Sequence, residues 1–198
     1  RVGGTDRSTG LFDVASAAND EAGHLPDDLK GPLRATSLID KPMPAYPNGC
    51  HVAEVEIDPE TGFVKLDRYT AVDDCGRVVN PMIVDGQVHG GIGQGVGQAL
   101  WEEVAYDYES GQLLTGSFMD YTMPRADDLP MFTVGHNEVP TLTNRMGAKG
   151  GGEGGTTPAP AAIVNAICDA LRDYGVEHIQ MPVTSEKVWR AMNGSKDN

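Results

Sequence analysis

"HVAEVEIDPETGFVKLDRYTAVDD", residues 51–74, is the stretch on which the fold turns. In its first part Ala53, Val55 and Ile57 alternate with Glu54, Glu56 and Asp58. A period of two puts the apolar set on one face of a half-buried strand and the acids on the other. "DPETG" (58–62) follows, and Pro59 and Gly62 are turn-forming residues. "FVKLDRYTAVDD" then returns as a second strand, so the stretch predicts a β-hairpin with a slightly long loop.

Outward from this hairpin the pattern recurs more weakly. "EVAYDY", "ESGQ" and "LLTGSFMDY" (103–121) predict a second hairpin, and "MFTVGHNEV" (131–139) a further strand. Val84, Val88, Ile92, Val96 and Leu100 fall at every fourth position, predicting a helix from about Ile83 to Glu103. A second helix is expected after Thr157. Thr156 or Thr157 would cap it, and Pro158 suits its first turn. Ile163, Ala166, Ile167, Ala170 and Leu171 would form its buried face, and Gly175 lies just beyond its end. Hairpins with interspersed helices point to an α+β fold, a two-layer sandwich of mostly antiparallel β-hairpins packed with helices. Residues 1–50 carry prolines and glycines too densely for long elements and read as a loop-rich lead-in, with one or two helical turns at "VASAAND". Residues 51–198 form the main domain.

The 198 residues carry a net charge of −14, with 25 Gly and 13 Pro. Such a chain repels nucleic acid and anionic membrane at long range. No apolar run approaches the length of a bilayer span. Three scattered cysteines argue against a disulfide scaffold or a Cys-based metal site, so no metal ligands are expected on this chain and a reducing cytoplasm is the default location. Cys50 and Cys75 read as packing residues, and His51 and His89 as structural ones.

The first helix holds six glycines between positions 86 and 97. At roughly 1 kcal/mol each they cost the helix on the order of 5 kcal/mol, which something must offset. Gly86, Gly90, Gly93 and Gly97 follow the spacing of one face. That face allows close packing, in which case a methyl at Gly90 or Gly93 would destabilise the fold, or it admits a flat ligand. Gln87, Gln94 and Gln98 share another face. "GIGQGVG" lies inside the helical stripe, so it is no dinucleotide fingerprint.

"GAKGGGEGG", residues 147–155, places one carboxylate, Glu153, in a run of glycines ahead of a helix. The loop could aim N–H groups at an anion, with Lys149 adding charge, although the phosphate-loop motif is absent. A carboxylate there would repel a directly bound phosphate. Partly desolvated among glycines, it suits a general base; it could equally be a solvated loop residue or a capping carboxylate.

"GQVHGGIGQGVGQALWEE" followed by "GAKGGGEGG" resembles the molybdenum-binding large subunit of the xanthine dehydrogenase, aldehyde oxidase and aerobic carbon monoxide dehydrogenase family. "PNGCHVAEVEIDPETG", "VDDCGRVVNP", "LLTGSFMDYTMPRADDLP", "APAAIVNAICDAL" and "IQMPVTSEKVWRAM" extend the similarity along most of the chain. The resemblance implies that Glu153 is the active-site base beside the molybdenum. Gln87 would hydrogen-bond the pterin, and Ala148, Lys149, Gly150, Gly151 and Gly152 would line the cofactor. It implies hydroxylation of an aldehyde, purine or N-heterocycle with water-derived oxygen. The cofactor would be molybdopterin carrying molybdenum, in its cytosine dinucleotide form. Electrons would leave through iron–sulfur clusters to FAD on partner domains or subunits, in a complex expected to dimerise. Family subunits are several times longer, so the chain resembles the C-terminal quarter of one, with the remainder of the molybdenum subunit as its first partner. The alternatives are a non-catalytic assembly domain and the corresponding part of an aerobic carbon monoxide dehydrogenase.

Overall fold

The structure, a computed structural model, describes residues 3–20, 23, 25–38 and 43–194. Parts of the lead-in and the last four positions of the main domain lie outside the described residues. The chain divides into two compact units, Arg1–Lys41 and Pro42–Asn198. The first holds helix α1 (Leu11–Asn19), covering most of "VASAAND" and starting three residues before it, and a short 3-10 turn at Asp27–Leu29. Gly31 N–H closes it by donating to the Ala18 carbonyl at 2.6 Å.

In the second unit β1 (Asn48–Ile57) and β2 (Val64–Asp74) pair antiparallel, as the alternation predicts. Their register shifts between Glu54 and Val55, opposite Asp67. A bulge of this kind adds one residue to one strand and resets the alternation. It is why β2 buries Val64 and Leu66, then skips to Tyr69 and Ala71. Glu54 faces Arg68 and Glu56 faces Lys65 across the exposed face. The turn between the strands rests on α4 (Ser185–Met192), a helix that sequence periodicity did not predict. Gly62 there has φ +71°, and a Cβ on it would lie 2.2 Å from the Ser185 carbonyl.

α2 (Pro81–Leu100) begins two residues earlier than expected. Asn80 caps it through a 3.3 Å bond from Ile83 N–H, and Pro81 takes the first position, where its missing donor costs nothing. It ends at Leu100, three residues early, because the Ala99 carbonyl is taken by Val183 N–H at 2.6 Å. Val88, Ile92, Val96 and Leu100 are all buried. Together they contribute about 6–12 kcal/mol of apolar burial, enough to offset the glycines. α3 (Ala159–Ala170) packs on α2 and β1 and buries Ile163 and Ile167. Its N-cap is Pro158, with no side-chain cap; Thr156 Oγ1 donates instead to Gln94 Oε1 at 3.2 Å.

β3 (Thr133–His136) joins parallel to β2, giving a three-stranded sheet of order β1-β2-β3 with helices packed against it. This is the expected α+β arrangement, with a single full hairpin among the described residues. The second predicted hairpin reduces to a bridge between Tyr106 and Leu113. Tyr106, Tyr108 and Leu114 remain exposed, with no apolar layer to bury a second ladder, and Ser117 turns its hydroxyl onto Asp120 instead.

The glycine face of α2 also differs from expectation. A Cβ at Gly86 or Gly90 would meet nothing within 4 Å, and one at Gly93 only Leu129 at 3.6 Å. On the predicted face only Gly97 is crowded, where a Cβ would lie 2.8 Å from Pro124 Cδ; the other close approaches are made by Gly91 and Gly95. A Cβ on Gly91 would lie 2.8 Å from Thr156 N, and one on Gly95 2.5 Å from Ala159 Cβ.

Candidate functional site

The glycine loop is held by backbone bonds to two separate strands of chain. Lys149 N–H donates to the Cys75 carbonyl (2.8 Å) and Gly150 N–H to the Ala45 carbonyl (2.9 Å), while Gly76 and Ala148 form an antiparallel bridge. Further on, Gly155 lies against α2, where a Cβ would stand 2.3 Å from the Val88 carbonyl. Only glycine fits such a crossing of backbones. The loop therefore spans from β2 to α2, with residues 44–47 along its outer side.

Between these segments lies a cleft of about 620 Å³. One wall is Pro44–Gly49 and the other Gly150–Gly154, with Asp73 and Thr157 completing it. Of the residues marked by sequence, Gly150, Gly151, Gly152 and Glu153 line this cleft. Ala148 and Lys149 stand behind it. Gln87 is exposed on α2, next to Val88, where the loop crosses.

Lys149 does not act as a free cation. Its Nζ lies 2.5 Å from Asp74 Oδ2, and both side chains are nearly buried. Asp74 Oδ1 also accepts from Gly76 N–H (2.8 Å) and Val139 N–H (3.0 Å). The Lys149 ammonium, with these donors, holds the Asp74 carboxyl down at about 2. The expected extra charge for an anion is thus spent on fixing the loop.

Glu153 is exposed at the cleft, not desolvated within this chain. Its backbone carbonyl accepts from Thr157 N–H at 3.1 Å. Among the described residues its carboxylate has no hydrogen-bond or ion-pair partner, and α3 is capped without it, so it is not a capping carboxylate.

Sequence reasoning did not place Asp73 and residues 44–49 in the cleft wall. Asp73 is 5 % exposed, and its Oδ1 lies 3.1 Å from His51 Nε2. His51 Nδ1 in turn lies 2.9 Å from the Tyr69 hydroxyl. Burial, reinforced by Asp73, pushes the Tyr69 phenol far above its ordinary value. His51 is thus a structural histidine with two partners. Its signal was the alternation itself, since His51, Tyr69 and Asp73 all occupy inward positions. Gly49 sits opposite Asp73, and a Cβ there would overlap Oδ1. His89 packs against Phe132. Cys75 is a packing residue whose thiol is pushed up by burial, but Cys50 is exposed on β1. Among the described residues no helix could cross a membrane, and no three His, Cys, Asp or Glu side chains gather as metal ligands.

A side-chain-free wall suits a flat fused ring. Among the described residues a Cβ at Gly152 would meet nothing within 4 Å, and at Gly150, Gly151 or Gly154 only contacts of 3.6–4.0 Å, so the glycines leave an open cradle. Among the described residues the cleft lining carries the carboxylates of Asp73 and Glu153 and no Lys or Arg. It fits a heterocycle better than a phosphate.

Comparisons with known proteins place this α+β domain in the class of cofactor-binding domains. Residues 4–130 match the family described as molybdopterin cofactor-binding domain, and the chain belongs to that family. It is 41% identical over 196 residues to the nicotine 6-hydroxylase large subunit of Paenarthrobacter nicotinovorans, covering 99% of this chain and 24% of that protein. It is 36% identical over 167 residues to the carbon monoxide dehydrogenase large chain of Hydrogenophaga pseudoflava, covering 84% of this chain and 21% of that one. Among solved structures, a Cu,Mo-CO dehydrogenase in its carbon monoxide reduced state superposes with a TM-score of 0.83 at 34% identity, over 92% of this chain and 23% of that chain. Quinoline 2-oxidoreductase from Pseudomonas putida 86 gives 0.72 at 44% identity, over 74% and 19%. The chain spans about a quarter of the length of the curated relatives it matches.

Proposed function

We propose that this chain forms part of the cofactor pocket of a molybdenum hydroxylase-type oxidoreductase, with Glu153 as the active-site base. The observation that carries the proposal is the unpaired Glu153 carboxylate at the edge of the glycine-walled cleft. When bound, the molybdenum cofactor would supply the two-electron oxidation. Gly150, Gly151 and Gly152 would hold its heterocycle by shape and backbone groups, with Ala148 and Lys149 fixing the loop behind them. Gln87 would offer its amide to the pterin from α2. Glu153 would accept the proton released as a water-derived oxygen attacks the substrate carbon.

Two relatives are named for nicotine and quinoline, both nitrogen heterocycles, which favours an N-heterocycle over an aldehyde or purine as substrate. The remaining length of the subunit would close the cleft over Glu153, providing the desolvation a base needs. Exposed Phe118, Met119, Met131 and Leu142 offer apolar surface for that contact. Iron–sulfur and FAD-bearing partners would carry the electrons away, within a cytoplasmic dimeric complex. A cytosine dinucleotide extension would place its phosphates outside this cleft, away from Asp73 and Glu153.

The test is Glu153→Gln in the complete enzyme. Turnover should fall by about 10²–10⁴-fold, the usual contribution of a positioned base. Molybdenum per subunit should stay at the wild-type level. Near-normal turnover at full molybdenum loading removes Glu153 from the role of base.

A further inference from the structure

Asp73 and Asp74 are adjacent and both buried, yet only one is satisfied. Both oxygens of Asp74 have partners. Asp73 Oδ1 has His51, but Oδ2 has no hydrogen-bond partner among the described residues. Buried polar atoms are nearly always paired, because an unpaired one keeps its desolvation cost with no return. Asp73 lines the cleft, and its buried Oδ2 lies beside the cleft wall at Gly154, where a Cβ would stand 3.8 Å from it.

The carboxylate is aimed by a chain of three groups. Burial keeps the Tyr69 phenol in its O–H form, and its hydroxyl lies 2.9 Å from His51 Nδ1. A carboxylate can only accept, so His51 Nε2–H donates to Asp73 Oδ1 at 3.1 Å. Gly49, opposite, leaves room for the carboxylate to lean across to β1. With Oδ1 committed, Oδ2 is a buried, unpaired acceptor beside a cleft lined, among the described residues, by no Lys or Arg.

We propose that Asp73 is a binding residue of this cleft, its Oδ2 accepting one hydrogen bond from a ring or exocyclic N–H of a heterocycle seated against the glycine wall. The inference rests on the reading of the cleft as part of a molybdenum-cofactor pocket and goes beyond it by naming the group that selects the ligand's polarity. With only one oxygen free, the carboxylate cannot make a contact that uses both of its oxygens. The donor can belong to the cofactor's pterin or to a nitrogen-heterocyclic substrate.

The experiment is Asp73→Asn in the complete enzyme, with Gly154→Ala beside it. The asparagine amide can keep the bond from His51 through its oxygen while turning an N–H₂ donor towards the cleft. Gly154→Ala places a methyl about 3.8 Å from Oδ2 and leaves His51 untouched. Molybdenum and pterin per subunit are measured, together with KM and kcat. Losing a hydrogen bond to a charged acceptor corresponds to about tenfold or more in affinity. A fall of that size in pterin and molybdenum content assigns the donor to the cofactor. Unchanged content with KM raised by the same factor and kcat nearly constant assigns it to the substrate. Content and KM both at wild-type levels in Asp73→Asn overturn the proposal, since a donor would then serve as well as an acceptor. If Asp73→Asn does not fold, wild-type content and KM in Gly154→Ala overturn it alone. A wild-type enzyme lacking molybdenum and pterin overturns the cofactor reading and this inference with it. A loaded wild type with an equally loaded, kinetically unchanged variant removes only Asp73.

Discussion

The two glycine rows of α2 have the same composition and opposite surroundings. Gly91 and Gly95 are buried where the glycine loop and α3 press against the helix. Gly86 and Gly90 face open space in this chain. The first row is there because packing forbids a side chain. At Gly86 and Gly90 no packing among the described residues requires the lack of a side chain; further along the same row, Gly97 is crowded by Pro124. Asp74 and Asp73 repeat the contrast, both buried, one with both oxygens paired and one with an oxygen left unpaired among the described residues.

The comparison breaks most sharply at the packed side. Gly155→Ala drives a methyl into the Val88 carbonyl and Ile92 N–H, backbone atoms that cannot rotate away. We expect a loss of about 3 kcal/mol or more, a fall in Tm of roughly 6–12 °C, measured by thermal unfolding. A Tm within error of wild type would mean that the loop does not press on α2.

Next comes the ion pair behind the cleft. Lys149→Met should cost about 2–3 kcal/mol by denaturant titration, because it leaves the Asp74 carboxylate with backbone donors only. The pH dependence supplies a second readout. Asp74 titrates at about 2 in the folded chain, below its ordinary range. Its contribution is therefore fully present above about pH 4 and lost as pH falls towards 2. In Lys149→Met this acid-dependent loss should shrink; an unchanged acid limb would assign it to other carboxylates.

The smallest effect has the opposite sign. Gly90→Ala should stabilise the chain by about 0.5–1 kcal/mol, since helix propensity improves and nothing clashes. In the complete enzyme the same methyl should lower molybdenum content, if the open row serves the cofactor. Destabilisation of the chain itself would restore the packing role that the spacing of Gly86, Gly90, Gly93 and Gly97 suggested.

Much of this architecture is legible in the residues. The period of two in 51–74 and the four-residue spacing of Val88, Ile92, Val96 and Leu100 appear directly as buried faces. What was not legible depended on contacts distant in sequence. Spacing alone could not say which glycine row would be covered, because the cover comes from residues 154–160. α4 was missed because one short helix buries little besides Val188. Lys149 read as a free charge because Asp74, its partner, lies far back along the chain. The position of Glu153 in its loop was readable, but its exposure was not, since exposure depends on everything that surrounds the loop. Asp73 was hidden for a related reason: a period of two says that a side chain points inward, not whether its second oxygen finds a partner there.

The bond from Gly150 N–H to the Ala45 carbonyl has a consequence in time. The two walls it joins lie on opposite sides of the whole hairpin and of α2 in the chain's order. Closing so long a loop is slow and comes late, after the local hairpin and helix contacts have formed. During synthesis the outer wall emerges first and waits, unpaired, until the glycine loop has left the ribosome. No ligand can be held between them before that moment, so filling of the cleft must follow folding of this unit and cannot guide its early steps.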